Sequence, residues 1–218
     1  MSKPYEYNWQ RIKPYNTYRF GKYLLRPITR LLFKVKVHGR ENLPKSARGV
    51  ILACNHLNAI DPSFLVAATM LPWRFIGKKE LFQSPLTGFL YSRFGGFPVD
   101  RDIIDRRALE YAIAVMEDGR CGLGIFPEGQ RSPDGRPQPA KAGVAMLARK
   151  ARADILPCSL YWEGKLKLRQ KVTVRIGELI PFEQLDMGDR PNKRESLAAT
   201  EKIMATITAL WEQGHGLK

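Results

Sequence analysis

Beyond residue 40 the chain alternates short apolar runs of strand length with longer segments of helical periodicity, and this alternation limits the fold more than any other feature. The strand-like runs are Val50–Cys54, Arg74–Gly77, Gly122–Phe126, Ile155–Leu160 and Val172–Ile176, preceded by Lys34–His38. The helical segments are Pro62–Leu71, Pro85–Phe94, Ile104–Asp118, Lys141–Arg152 and Arg194–Trp211. Strands separated by helices return to the same edge of the sheet and pair in parallel. The expectation is therefore an α/β domain with a largely parallel central sheet flanked by helices. In the last helical segment Leu197, Ile203, Met204, Ile207, Leu210 and Trp211 fall at helical spacing and predict a packing face. No repeat or low-complexity linker interrupts the pattern, so residues 35–218 are expected to form one domain. A hydrophobic fraction of 44% is too high for a disordered chain.

The segment before the alternation has a different character. The chain carries 36 Lys and Arg against 21 Asp and Glu, a formal +15, and ten of the cations lie in the first 40 residues with Glu6 as the only acid. Between Tyr15 and Lys34, a basic stripe repeats every fourth residue as Lys22, Arg26, Arg30 and Lys34. Leu24, Ile28, Leu31 and Val35 mark an apolar stripe on another face, and Pro27 is expected to kink the helix or begin its second half. Trp9, Tyr15, Tyr18, Phe20 and Tyr23 accompany it. Such a helix suits a membrane interface. Its apolar face meets the acyl boundary and its cations meet anionic headgroups, at ~1 kcal/mol per basic residue. The alternative is a helix packed on the core with its charged side in water. Charges interrupt the apolar residues too often for a secretory signal, and no run approaches the ~18 apolar residues of a spanning helix. Residues 1–34 are thus expected to be a basic amphipathic membrane-associating segment, and the protein peripheral or monotopic.

Cys54, Cys121 and Cys158 sit in or beside apolar runs and are expected to be small reduced core residues. Neither they nor His38, His56 and His215 have zinc-ligand spacing, so no structural metal is expected.

Two strand-to-helix junctions carry chemistry. The first is Asn55-His56-Leu57-Asn58-Ala59-Ile60-Asp61-Pro62, which follows an apolar strand and precedes a helix. Asp61 before Pro62 reads as an N-cap acceptor with proline at the first helical position. A loop of this length can also fold back so that the Asp61 carboxylate holds one imidazole nitrogen of His56 and leaves the other free to take a proton. A loop histidine followed by a capping aspartate is the plainer alternative. The second junction is Gly124-Ile125-Phe126-Pro127-Glu128-Gly129-Gln130-Arg131-Ser132-Pro133. Its turn combines exposed backbone N–H groups with the Arg131 fork, a combination suited to phosphate. Lys78-Lys79-Glu80-Leu81 follows a third strand, and Val99-Asp100-Arg101 follows a Gly-Gly turn.

In this order the segments resemble the 1-acylglycerol-3-phosphate O-acyltransferase family of the glycerolipid acyltransferase superfamily. The resemblance rests on four blocks over roughly residues 35–180. Asn55, His56, Asp61 and Pro62 form the first, and Lys78, Glu80, Leu81, Pro85, Gly88 and Val99-Asp100-Arg101 the second. Phe126, Pro127, Glu128, Gly129, Arg131 and Ser132 form the third, and Ile155, Leu156 and Pro157 the fourth. Lys141 and Gly143 also stand where the family often has a Lys and a Gly. Gln130 departs from the threonine or small residue usual in the third block, so a role for that hydroxyl is absent here.

The resemblance implies a glycerol-3-phosphate acyltransferase-like fold and acyl transfer from a thioester to the sn-2 hydroxyl of lysophosphatidic acid, giving phosphatidic acid. His56 would be the general base and Asp61 its orienting partner. Lys78, Arg101 and Arg131 would hold the phosphate, with Glu128 and Gly129 shaping that pocket. No cofactor is implied beyond acyl-CoA or an acyl-acyl carrier protein as co-substrate, and the expected location is the cytoplasmic face of a membrane. Glycerol 3-phosphate or another lysolipid is the alternative acceptor. Cys54, two residues from His56, raises a covalent acyl-cysteine route, against its reading as a buried strand residue. Lys165, Lys167, Arg169 and Lys171 could form a one-faced basic strand, a solvated hairpin or a dock for an acidic acyl carrier protein. Nucleic-acid binding is permitted by the charge, but no nucleic-acid-binding signature accompanies it.

Overall fold

The computed structural model describes residues 5–100, 103 and 105–216. Its strands are β1 (Lys34–His38), β2 (Val50–Cys54), β3 (Trp73–Lys78), β4 (Gly96–Val99), β5 (Gly122–Ile125), β6 (Asp154–Tyr161) and β7 (Lys171–Ile176). They form one sheet in the order β1-β7-β6-β2-β5-β3-β4. Every neighbouring pair is parallel except β6 with β7. The α-helices among the described residues are α1 (Asn16–Leu32), α2 (Asp61–Thr69), α3 (Pro85–Arg93), α4 (Arg106–Asp118), α5 (Gly143–Ala151) and α6 (Lys193–Glu212).

The largely parallel α/β domain read from the alternation is the architecture observed. Strand β2 is buried at every residue, as a strand covered on both faces must be. On one face the core gathers Tyr111 and Val115 of α4, Val144 and Leu147 of α5, and Ile203 and Ile207 of α6. On the other it gathers Tyr18 of α1, and Phe64 and Leu65 of α2, over Leu52, Trp73 and Val174. Strand β4 escaped the periodicity reading because its four residues include Gly96 and Pro98. Proline cannot donate to a ladder and is tolerated there because β4 is an edge strand.

The N-terminal segment is tied to this body. The buried Arg74 side chain donates from Nε to the Ile12 carbonyl at 3.0 Å, and from Nη2 to the carbonyls of Arg11, Ile12 and Lys13. The Tyr7 hydroxyl donates to the Tyr111 hydroxyl at 2.9 Å, which in turn donates to the Arg11 carbonyl. Helix α1 then runs unbroken through Pro27 rather than restarting there. It reverses part of the expected stripe assignment. Lys22 turns inward and its Nζ donates to the Met70 carbonyl at 2.9 Å, at the C-terminal end of α2 where a cation is favoured. Lys34 and Val35 belong to β1, and Val35 packs into the core. Phe20, Tyr23, Leu24, Ile28 and Leu31 face outward. The segment around Lys165–Arg169 is a connection between β6 and β7 rather than a basic strand; Lys171 alone of that set lies in a strand.

Candidate active site

The chemistry-bearing segments converge because the strands that precede them are neighbours. His56 follows β2, the turn at 126–132 follows β5, Lys78 ends β3 and Val99 ends β4 with Asp100 just beyond, and β2, β5, β3 and β4 lie side by side in the sheet. All four point the same way, so their carboxyl ends form one rim, where open α/β sheets place their ligands.

Asn55 builds the entrance to the first loop. Its Nδ2 donates to the Leu160 carbonyl at 3.0 Å and its Oδ1 accepts from the Leu160 amide at 2.8 Å. The side chain thereby replaces the next backbone pair of the β2–β6 ladder and lets the main chain leave the sheet at His56. The loop then folds back. Asp61, fully buried, accepts from His56 Nδ1 at 2.8 Å and from the amides of Leu57 and Asn58 at 2.7 and 2.8 Å, all at Oδ2. The N-cap expectation is corrected here. Asp61 is already the first helical residue, and its carboxylate turns back to the loop rather than forward to the amides of α2. Burial raises the Asp61 pKa, opposed by the His56 ring and the two amides. With Nδ1–H given to the carboxylate, Nε2 carries the lone pair, and the ring keeps 13% of its side-chain surface exposed.

The second loop holds the first one in place. The His56 amide donates to Glu128 Oε1 at 3.0 Å, and the Ser132 amide donates to the His56 carbonyl at 2.7 Å, so both backbone groups of the histidine are held by the 126–132 turn. Phe126 stacks on the imidazole with ring centres 4.0 Å apart, and Phe75 stacks behind Phe126 at 6.0 Å. Gly124 makes room for Phe75: a Cβ on that glycine would lie 2.3 Å from its ring. The Glu128 carboxyl is almost wholly buried and is pushed up to about 7 by burial, against the lowering pull of the backbone amides it accepts. Gly129 adopts φ +71°, which glycine takes without strain, and Lys141 lies over it.

Beside this staple is an apolar cavity of about 460 Å³ between α4 and α5. Its walls include Ile76, Phe97, Ala108, Ala112, Val144 and Leu147, and its rim includes Phe126, Gly129 and Lys141. Sequence reasoning did not locate it. Its wall residues read as ordinary core positions, and a packing face and a cavity wall have the same periodicity.

The expected phosphate ligands are less closely gathered. Lys78 is exposed and forms an ion pair with Glu80 at 3.3 Å. Arg131 and Gln130 are exposed on the 126–132 turn, and Arg101 lies outside the described residues. Glu128 offers its carboxylate to the His56 backbone rather than to the open face of the turn. Asn55, Phe126 and Lys141 belong to the sequence motifs, and their places in the site come from the tertiary structure alone. Cys54 is buried beside them, and burial pushes its thiol well above the usual range. No group of three or more His, Cys, Asp or Glu that could hold a metal is found among the described residues.

An imidazole oriented by a buried carboxylate, whose stacking partner Phe126 also lines an apolar cavity, is an arrangement suited to base-assisted chemistry on a substrate with an apolar chain. Comparison with known proteins narrows that class. A family model described as Acyltransferase matches residues 34–161, and the chain belongs to this family, within its 1-acyl-sn-glycerol-3-phosphate acyltransferase branch. The chain is 31% identical over 204 residues to the 1-acyl-sn-glycerol-3-phosphate acyltransferase of Bacillus subtilis, covering 88% of this chain and 96% of that one. It is 35% identical over 130 residues to the enzyme of the same description from Borreliella burgdorferi, covering 59% and 51%. The crystal structure of the 1-acyl-sn-glycerophosphate acyltransferase from Thermotoga maritima superposes with a TM-score of 0.68 at 26% identity, over 90% of this chain and 82% of that one.

Proposed function

We infer that the protein transfers an acyl group from a thioester, acyl-CoA or acyl-acyl carrier protein, to the sn-2 hydroxyl of lysophosphatidic acid, forming phosphatidic acid. The observation that carries the mechanism is the 2.8 Å contact between Asp61 and His56 Nδ1. His56 Nε2 accepts the hydroxyl proton as the oxygen attacks the thioester carbonyl, and the Asp61 carboxylate stabilises the imidazolium that forms. The thiolate leaves and takes up the proton. The cavity between α4 and α5 suits an acyl chain, since its walls are almost entirely apolar. Lys78 and Arg131 on the rim, with Arg101 from sequence, are the cations for the acceptor phosphate. The buried Cys54, its thiol raised by burial, favours direct transfer over an acyl-cysteine.

The lipid substrate meets the enzyme at a bilayer in this reading. No helix among the described residues is long and apolar enough to cross a membrane. The outward face of α1 adjoins α3 where Gly21 packs near Phe94, and α3 adds exposed Leu86, Phe89 and Leu90. This apolar platform flanked by Arg19 and Arg30 fits docking on the cytoplasmic face of an anionic membrane.

His56→Ala should lower kcat by about 10²–10⁴-fold in a folded protein, measured with lysophosphatidic acid and acyl-CoA by product mass spectrometry. Substantial activity in that variant would overturn the mechanism. Glu128→Gln keeps an acceptor for the His56 amide and should retain far more activity than Glu128→Ala. Glu128 also gives a pH signature. Its folded pKa of about 7 exceeds the ordinary 4.5, so the folded state binds more protons between those values, and stability falls as pH rises through that window. Thermal unfolding of Glu128→Gln across the same range should lack this slope.

A further inference from the structure

The connection between β6 and β7 is the surface feature that the acyltransferase reading does not use. At its tip Leu168 is 69% exposed, while Lys165, Lys167 and Arg169 around it are also exposed. A single exposed leucine is ordinary; the way this one is held is not. Arg169 adopts φ +60°, a left-handed conformation that is strained for a non-glycine residue and persists only when its surroundings impose it. Those surroundings are visible. Gln170 braces the loop from inside, accepting the Lys167 amide at 2.7 Å on Oε1 and donating from Nε2 to the Glu163 carbonyl. The Arg169 amide donates to the Leu32 carbonyl at 2.6 Å, a helix C-terminal acceptor left open by α1, and the Lys34 amide donates to the Gln170 carbonyl at 2.9 Å. Leu168 is thereby fixed beside the end of α1, where Leu31 is 72% exposed and Leu32 also reaches solvent.

We propose that the Lys165–Arg169 loop is a second membrane contact, which inserts Leu168 into an anionic bilayer alongside the C-terminal end of α1 while its cations engage the headgroups. The proposal rests on the membrane reading of α1. Charge complementarity supports a lipid surface, with Arg30 and Lys34 of the neighbouring segment adding to the loop's three cations. An apolar side chain at the centre of the basic group favours the bilayer over a purely polar acidic partner.

The test uses the full chain with vesicles of phosphatidylcholine alone and with added phosphatidylglycerol. All three native cysteines are buried, so Leu168→Cys can be labelled selectively with an environment-sensitive fluorophore. The label should shift to an apolar signal on phosphatidylglycerol vesicles and be quenched by brominated acyl chains. Leu168→Ser should lower vesicle partitioning about tenfold, as loss of a buried leucine requires. Lys165→Glu with Lys167→Glu should lower it on phosphatidylglycerol vesicles only. Turnover of a water-soluble short-chain lysophosphatidic acid should stay unchanged in these variants, which reports intact folding. If the unmodified chain ignores both vesicles, the membrane reading itself fails and takes the loop with it. If the unmodified chain binds and the label stays in water, the loop proposal alone is overturned. It is likewise overturned if the charge reversals weaken binding of an acidic acyl carrier protein and leave vesicle binding intact.

Discussion

Helices α1 and α6 are both amphipathic and face opposite ways. Helix α6 turns Ala199, Ile203, Met204 and Ile207 into the core and leaves Lys193, Glu201 and Glu212 exposed. Helix α1 places its half-buried Lys22 against the end of α2, and it leaves Phe20 at 74% exposure with Tyr23, Leu24, Ile28 and Leu31 beside it. The difference teaches that an apolar stripe marks a surface to be removed from water without stating what will cover it. In α6 the cover is the sheet. In α1 the inward contacts are made by Tyr18, Leu25 and Thr29, and the larger apolar stripe stays exposed among the described residues.

The contrast can be broken by matched substitutions. The largest effect should come from Ile207→Asp in α6. It strands a charge in the core and should cost more than about 3 kcal/mol of stability, read as denaturant unfolding. The equivalent insult in α1, Leu24→Ser with Leu31→Ser, should leave unfolding within about 0.5 kcal/mol of the parent while vesicle binding falls at least tenfold. Stability loss in α1 comparable to that in α6 would mean that its outward face is covered by the chain itself. The smallest effect should come from Lys22→Ala, which removes one donor and a favourable cation from the end of α2 and should cost about 0.5–1 kcal/mol. A variant at Lys22 that weakened vesicle binding without touching stability would restore the headgroup role expected of the basic stripe.

The candidate site was legible to a different depth in its different parts. His56 and Asp61 are five residues apart on one loop, so their contact is a local event, and the loop length alone allows it. The staple from Glu128 to the His56 amide joins residues 72 positions apart and depends on β5 settling next to β2. Nothing local announces it. Glu128 in sequence is one more polar residue of a turn, and its burial alone gives it a different task from the exposed Arg131 three residues on. The cavity is hidden for the same reason, since Val144 and Leu147 look like any inward helix face until α4 stands a cavity's width away.

The sequence by itself determined the alternation of strands and helices, the crossover that makes the sheet largely parallel, and the order of the motif blocks that places the chain in its family. These follow from periodicity and short-range chemistry, which adjacent residues carry. Only the tertiary structure decided the strand order that brings β2, β5, β3 and β4 together, the apolar space left between α4 and α5, and the way α1 faces. Those depend on which surfaces meet across the fold. The same stripe of leucines lowers the free energy against a sheet or against a lipid, and the stripe does not encode which.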